Sequence, residues 1–190
     1  MTTNKKRCPW CGDDPLYVAY HDNEWGKPVF DDRRLFAQLC LEGMQAGLSW
    51  ITILKKRQHY HEVFMDFDAD KIAVFDEHDI DRLMMDTRIV CHRAKIQAII
   101  NNAKIYQKIT QNQSFSDYLW GTVRQFGKFP MDNCPQSLAD VPSLTDVSKQ
   151  LSKQLKKDGF SFVGATTCYA FMQAVGMVND HLANCDYRDW

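Results

Sequence analysis

Asp146-Val147-Ser148-Lys149-Gln150-Leu151-Ser152-Lys153-Gln154-Leu155-Lys156-Lys157-Asp158-Gly159-Phe160-Ser161-Phe162-Val163-Gly164-Ala165 is the stretch on which the fold turns. Val147, Leu151 and Leu155 recur at i, i+4 and i+8, while Lys149, Lys153, Lys156 and Lys157 fall on other faces, the pattern of an amphipathic helix with a basic outer side. Gly159 ends it, and six residues, Gly159 to Gly164, separate it from a second helix of about Ala165 to Val175 that Gly176 closes. The unit, about residues 144–176, is therefore helix, glycine-bounded hairpin, helix. Glycines at its corners leave the amides that open the second helix accessible to an anion such as a phosphate, so Gly159 and Gly164 are candidate nucleic-acid contacts. The same pattern also suits an ordinary antiparallel helix pair.

Outward from this unit the periodicity stays helical. Asp31 or Asp32 can cap a helix running to about Met44, and a second follows from Leu48 to about Val63, with Gln45 to Leu48 as a tight turn between them. Further helices are expected over roughly 69–75, 79–85, 93–109 and 115–125, and strand alternation is almost absent. Residues 1–28 read as an ordered loop region rich in aromatics, and 127–142, with Pro130, Pro135 and Pro142, as a long connection. The expected class is all-α, in one domain spanning 1–190.

Composition narrows the function. A hydrophobic fraction of 45% and a charged fraction of 25% are ordinary for a soluble protein, and no apolar run approaches the ~20 residues that cross a bilayer. Thr2-Thr3-Asn4-Lys5-Lys6-Arg7 has no apolar stretch of the secretory type, so a cytoplasmic location with no membrane role is expected, and separately a monomer. A net charge of −1 gives no global attraction to nucleic acid, which leaves local patches and backbone donors. Lys55 to Arg57, Arg88 with Arg93 and Lys95, and Lys153 to Lys157 are candidate phosphate contacts, each equally readable as a solvated helix face.

Glu42 breaks the pattern of its helix. Leu35, Leu39, Cys40 and Ala46 carry the apolar stripe past it, and burying an unpaired carboxylate costs several kcal/mol as an order of magnitude. A salt bridge to Arg33, Arg34 or a distant lysine is the plain explanation. Trp10, Tyr17, Tyr20, Trp25 and Trp50 flank it in sequence, and one acid among flat aromatic faces suits a cationic, planar ligand.

Seven cysteines, odd in number and scattered, fit reduced thiols and metal ligation better than a disulfide framework. Cys8 and His21 near one end, with His181 and Cys185 four residues apart near the other, would make a closed Cys2His2 tetrahedron, structural because no position is left for water. Cys8-x-x-Cys11 is the commoner ligand spacing and also a redox spacing, although a redox motif of this kind opens a helix beside strands. The remaining histidines and cysteines read as surface or core residues.

These residues belong to a longer pattern. Arg7-Cys8-x-Trp10, Asp14-Pro15-Leu16-Tyr17-x-x-Tyr20-His21-Asp22-Asn23-Glu24-Trp25-Gly26, Leu41-Glu42-Gly43-x-Gln45-Ala46-Gly47-Leu48-Ser49-Trp50, His92-Arg93-x-Lys95-Ile96-Gln97-Ala98, Gly159-Phe160-x-Phe162-Val163-Gly164 and Val178-Asn179-Asp180-His181 closely resemble the bacterial 3-methyladenine DNA glycosylase I family. The resemblance covers most of the chain and is weakest over 127–142. It implies a helix-hairpin-helix DNA glycosylase fold and one structural zinc, Zn2+, on Cys8, His21, His181 and Cys185, joining the N- and C-terminal segments. The implied enzyme is a monofunctional hydrolase of base-excision repair. It would cut the N-glycosidic bond of 3-methyladenine in alkylated double-stranded DNA, releasing the free base and leaving an abasic site, without a strand-cleaving lysine.

Within that frame Glu42 is the expected catalytic acid residue, and Trp10, Tyr17, Tyr20, Glu42 and Trp50 the base pocket. Gln45, Gly47 and Leu48 would insert into the duplex, with Gly159 and Gly164 on the backbone. The wider superfamily usually places a catalytic Asp just after the second hairpin helix; Asp180 is the nearest match, but beside a metal ligand it reads as structural. Two rivals remain: a zinc-clipped module that binds damaged DNA without cutting, and a zinc hydrolase of the nucleobase-deaminase kind. The second needs His-x-Glu and Pro-Cys-x-x-Cys elements around one pocket, which the chain does not offer together.

Overall fold

The computed structural model describes residues 5–188. Helices dominate: α1 (Pro15–Asn23), α2 (Asp32–Gln45), α3 (Trp50–Val63), α4 (Ala69–Ile72), α5 (Glu77–Met84), α6 (Arg93–Thr110), α7 (Phe115–Arg124), α8 (Asp146–Asp158) and α9 (Ala165–Ala174). Two short strands, β1 (Met131–Asp132) and β2 (Val178–Asn179), pair in parallel, Met131 opposite Val178 and Asp132 opposite Asn179. No helix among the described residues is long and apolar enough to cross a membrane.

α2 is the axle of the molecule. Asp31 caps it by accepting from Arg34 N at 2.8 Å, and Leu35, Phe36, Leu39, Cys40, Leu41 and Met44 bury faces that meet α3, α6, α7 and α9 together. A helix covered on so many sides has little solvent face left, so a polar residue on it is buried whatever its local periodicity.

α8 and α9 form the expected helix pair. Thr145 and Ser148 cap α8 reciprocally, at 3.2 Å from Ser148 N to Thr145 Oγ1 and 2.9 Å from Thr145 N to Ser148 Oγ, and the helix stops at Gly159. The turn beyond it is held from α6: the buried Asn102 side chain accepts from Ser161 N at 2.8 Å and donates to Ser161 O at 3.1 Å. Gly43 on α2 lets Phe162 of that turn press close, since a Cβ there would stand 3.2 Å from Phe162 Cβ. The hairpin is thereby seated one residue from Glu42.

Several boundaries differ from the sequence expectation. Within 1–28, whose first four positions lie outside the described residues, Pro15–Asn23 is helical: Asp14 accepts from Leu16 N at 3.0 Å and Pro15 sits in the first turn. Only Tyr20 and His21 of α1 are buried, too few to make an apolar stripe that would announce it. The third helix begins at Trp50 rather than Leu48, and the fourth ends at Ile72 rather than near residue 75. The connection 127–142 contributes β1 and a 3-10 turn, Leu138–Asp140, in which Asp140 accepts from Ser137 N at 2.8 Å and from Gln136 N at 3.1 Å.

Candidate active site

Between α1, α2, α3 and α9 lies a pocket of about 200 Å³. Trp10, Tyr17, Tyr20, Trp25 and Trp50 make its aromatic walls, with ring centroids 4.9 Å apart for Trp10 and Trp25, 5.1 Å for Trp10 and Tyr17, and 5.4 Å for Tyr20 and Trp50. All five expected base-pocket residues line this one cavity. Leu138 and Val141 complete the rim from the 127–142 connection, and Ala170 and Gln173 from α9. Nothing in the sequence marked the first two, because the connection carries no periodicity and is held beside the pocket by long-range contacts: the strand pair, Asn133 on Asp180, and Pro135 O accepting from Ala183 N at 2.8 Å.

Glu42 is 4% exposed and has no salt bridge among the described residues. The expected partner Arg33 faces Asp68 at 3.7 Å instead. The contact found is neutral: Gln38 Nε2, one turn earlier on α2, donates to Glu42 Oε1 at 2.8 Å. Burial pushes the Glu42 carboxyl up to about 8, against the lowering pull of Gln38. Gln38 was legible as the i−4 neighbour of Glu42, a spacing that places two side chains side by side.

A second buried carboxylate lines the same pocket and is held in the opposite way. Asp180 accepts from Asn133 Nδ2, Tyr169 OH and Gln173 Nε2, each at 2.7 Å. Three donors occupy its lone pairs, whereas Glu42 has one donor and free acceptor capacity facing the cavity.

The turn after α2 carries the pocket's outer lip. Leu48 N donates to Gln45 O at 2.6 Å, Gly47 takes φ +79°, and Leu48 is 41% exposed. Gln45 lines the aromatic pocket and also an adjoining depression bounded by Gly47, Leu48, Thr166 and Thr167. A groove thus leads from the pocket to the first turn of α9, which Gly164 opens without a side-chain cap. Gly159 lies at the far corner of the hairpin, where its carbonyl accepts from Asn101 Nδ2 at 2.8 Å.

Behind the aromatic wall, Cys8, His21, His181 and Cys185 are buried together, with all their ligand atoms within 4.8 Å of one another, and the cluster could hold a metal ion. Cys11 stays out of it and turns its thiol to Cys8 O at 3.2 Å. Each histidine has its outer nitrogen occupied: His21 Nδ1 meets Asp22 Oδ1 at 2.8 Å, and His181 Nε2 meets Trp25 O at 3.2 Å. Arg7 in turn grips Asp22 through Nε and Nη2 at 2.8 Å each. Trp25 and Trp10 stack edgewise or tilted on these histidines, so the cluster and the pocket share a wall.

Most of the basic runs are already engaged. Arg57 pairs with Glu24, Arg88 with Asp86 and Glu62, Arg93 with Glu77 and Asp81, and Lys55 with Asp14. Lys95, expected at a phosphate, is buried, because α6 packs this face against α2. Lys153, Lys156 and Lys157 stay exposed along α8.

The family model described as methyladenine glycosylase matches residues 10–189. The chain belongs to the methyladenine glycosylase family. It is 52% identical over 97% of its length to the DNA-3-methyladenine glycosylase of Haemophilus influenzae, covering 97% of that protein. It is 51% identical to DNA-3-methyladenine glycosylase 1 of Escherichia coli, over 95% of each chain. Among solved structures, 3-methyladenine DNA glycosylase I of Staphylococcus aureus, described for its 3-methyladenine recognition, superposes with a TM-score of 0.91 at 44% identity, covering 97% of each chain.

Proposed function

We infer that the pocket receives 3-methyladenine flipped out of alkylated double-stranded DNA, and that the chain hydrolyses its N-glycosidic bond, releasing the base and leaving an abasic site. One observation carries this reading: a buried carboxylate without a counter-charge among the described residues, enclosed by aromatic faces.

The chemistry needs little more. N3-methylation makes adenine cationic while it is still joined to deoxyribose, so the base leaves without prior protonation. As the C1′–N9 bond breaks its electron pair neutralises the base, and water adds at C1′ with loss of a proton. The protein supplies access, selection and electrostatic stabilisation. Trp50, with Tyr17 or Trp10, stacks on the base; the Glu42 oxygen not held by Gln38 accepts from the exocyclic amino group; Tyr20 gives a second polar contact. An unmethylated adenine lacks the charge that rewards this acid and these rings. The turn Gln45 to Leu48 fills the gap in the duplex, and the hairpin between Gly159 and Gly164 follows the backbone as a helix-hairpin-helix element.

The four-residue cluster fits zinc. Its S···N separations of 3.4, 3.5 and 3.6 Å match the roughly 3.5 Å edge that a tetrahedron with Zn–S about 2.3 Å and Zn–N about 2.0 Å demands. Burial holds His21 and His181 in the neutral, ligating form and pushes the Cys8 thiol up, so a cation is what keeps a thiolate there. Zinc would be structural, clipping residue 8 to residue 185 behind the pocket. The whole chain acts as one glycosylase domain, a cytoplasmic monomer.

Chromatography of purines released from DNA treated with a methylating agent tests the reading, with Glu42→Ala alongside. Release of 3-methyladenine with little 7-methylguanine, lost in the variant, is expected; binding of methylated DNA with no base released would favour a damage-recognition module.

A further inference from the structure

Lys95 is 5% exposed and its ammonium meets no carboxylate among the described residues. Its Nζ donates instead to two backbone carbonyls across the helix interface, Met44 O at 2.8 Å and Ala46 O at 2.6 Å. These flank Gln45, whose own carbonyl accepts from Leu48 N at 2.6 Å. Three successive carbonyls at the end of α2 are thus fixed, two of them by one side chain from α6. A cation gains there from the negative end of the helix dipole, yet burying an ammonium is costly, and a neutral cap or water could satisfy carbonyls at an exposed helix end.

This helix end is set apart by the segment it leads into. Gly47 and Leu48 project from the lip of the pocket, and Gln45 lines both the pocket and the groove. We propose that Lys95 is a positioning residue: its ammonium locks the Gln45 to Leu48 turn into the shape that enters the duplex, so that insertion costs no ordering of the loop. The proposal rests on the duplex-inserting role assigned to that turn. Asn102, two turns further along α6, braces the hairpin in the same manner, so α6 sets the spacing of both elements without touching the pocket.

Lys95→Met keeps the length of the stem and removes the ammonium; Lys95→Arg keeps the charge but puts a larger, planar head group into the buried space that one compact ammonium fills between the two carbonyls. Single-turnover excision of 3-methyladenine would be measured on duplex and on single-stranded DNA, together with binding of free 3-methyladenine and melting temperature, with Leu48→Ala in parallel. Expected for both Lys95 variants is at least a tenfold slower excision from duplex, with single-strand excision and free-base affinity within about threefold of the parent. Hydrogen exchange should also show the Leu48 amide losing protection. A uniform loss across all substrates that tracks the melting temperature would overturn the proposal in favour of a merely structural lysine, as would an unchanged duplex rate. If Leu48→Ala leaves duplex excision intact, the inserting role itself fails; if it impairs excision while the Lys95 variants do not, only the role of Lys95 fails.

Discussion

Gln38 and Glu42 stand one turn apart on α2, and the Gln38 amide donates to Glu42 Oε1 at 2.8 Å, the only polar partner of that carboxylate among the described residues. The contact orients the acid and leaves its other oxygen toward the cavity. It also favours the charged form, because an N–H donor stabilises a carboxylate more than a neutral acid. Replacing the donor by Gln38→Leu should raise the Glu42 pKa further above about 8. Excision should fall about tenfold near neutrality and recover at higher pH, since hydrogen bonds to charged groups contribute about 1.5–3 kcal/mol. A pH–rate profile reads the shift; an acid limb that does not move would remove Gln38 from the mechanism.

Glu42→Gln separates charge from shape. The native carboxyl titrates near 8 against 4.5 in the unfolded chain, so the native state binds the extra proton between those values. Stability from this group is therefore full below about pH 4.5 and is lost as the pH rises towards 8. The glutamine variant lacks that loss and should be more stable than the parent at pH 7, by an amount on the order of 3 kcal/mol, while binding 3-methyladenine more weakly. Urea unfolding of both proteins from pH 5 to 8.5 checks the sign: the gap should widen with pH, and a constant gap would mean that Glu42 is charged throughout.

Metal removal probes the clip. Atomic absorption should find one zinc per chain. Stripping it with a strong chelator should lower the melting temperature by more than 10 °C, because an ion in this cluster would join segments 177 positions apart in sequence, from Cys8 to Cys185. Free-base binding should weaken with it, since Trp10 and Trp25 lean on His21 and His181 of the cluster. A zinc-free protein of unchanged stability would sink the structural assignment.

Asp180→Asn asks whether the second carboxylate reacts or supports. Its three donors would meet a side chain that offers one oxygen and an NH2 group, leaving at least one of them facing a donor. The expected cost is about 2–4 kcal/mol of stability, with excision per folded molecule within about fivefold of the parent. A variant that melts normally yet loses a thousandfold in rate would reassign Asp180 to the chemistry.

The amino-acid pattern by itself determined the helices that own their signals. The leucine repeat and Gly159 marked the α8–α9 hairpin, and Asp31 marked the start of α2. It also exposed Glu42, because a charge on an apolar stripe is visible without coordinates, and the members of the buried Cys8, His21, His181 and Cys185 cluster, because cysteine and histidine are rare and their pattern resembles a known family. Tertiary structure alone decided which charges are free. Arg57, Arg88 and Arg93 read as a DNA footprint until the fold paired each with an acid, and Lys95 read as a surface cation until α6 laid it against the end of α2. Leu138 and Val141 reached the pocket on a connection held by a strand pair two residues long and by single contacts to residues 179–183, none of which leaves a trace in the sequence. The division has one physical reason. Local patterns report what a segment does with its own backbone and nearest neighbours, whereas the state of a charge depends on whatever the rest of the chain brings against it.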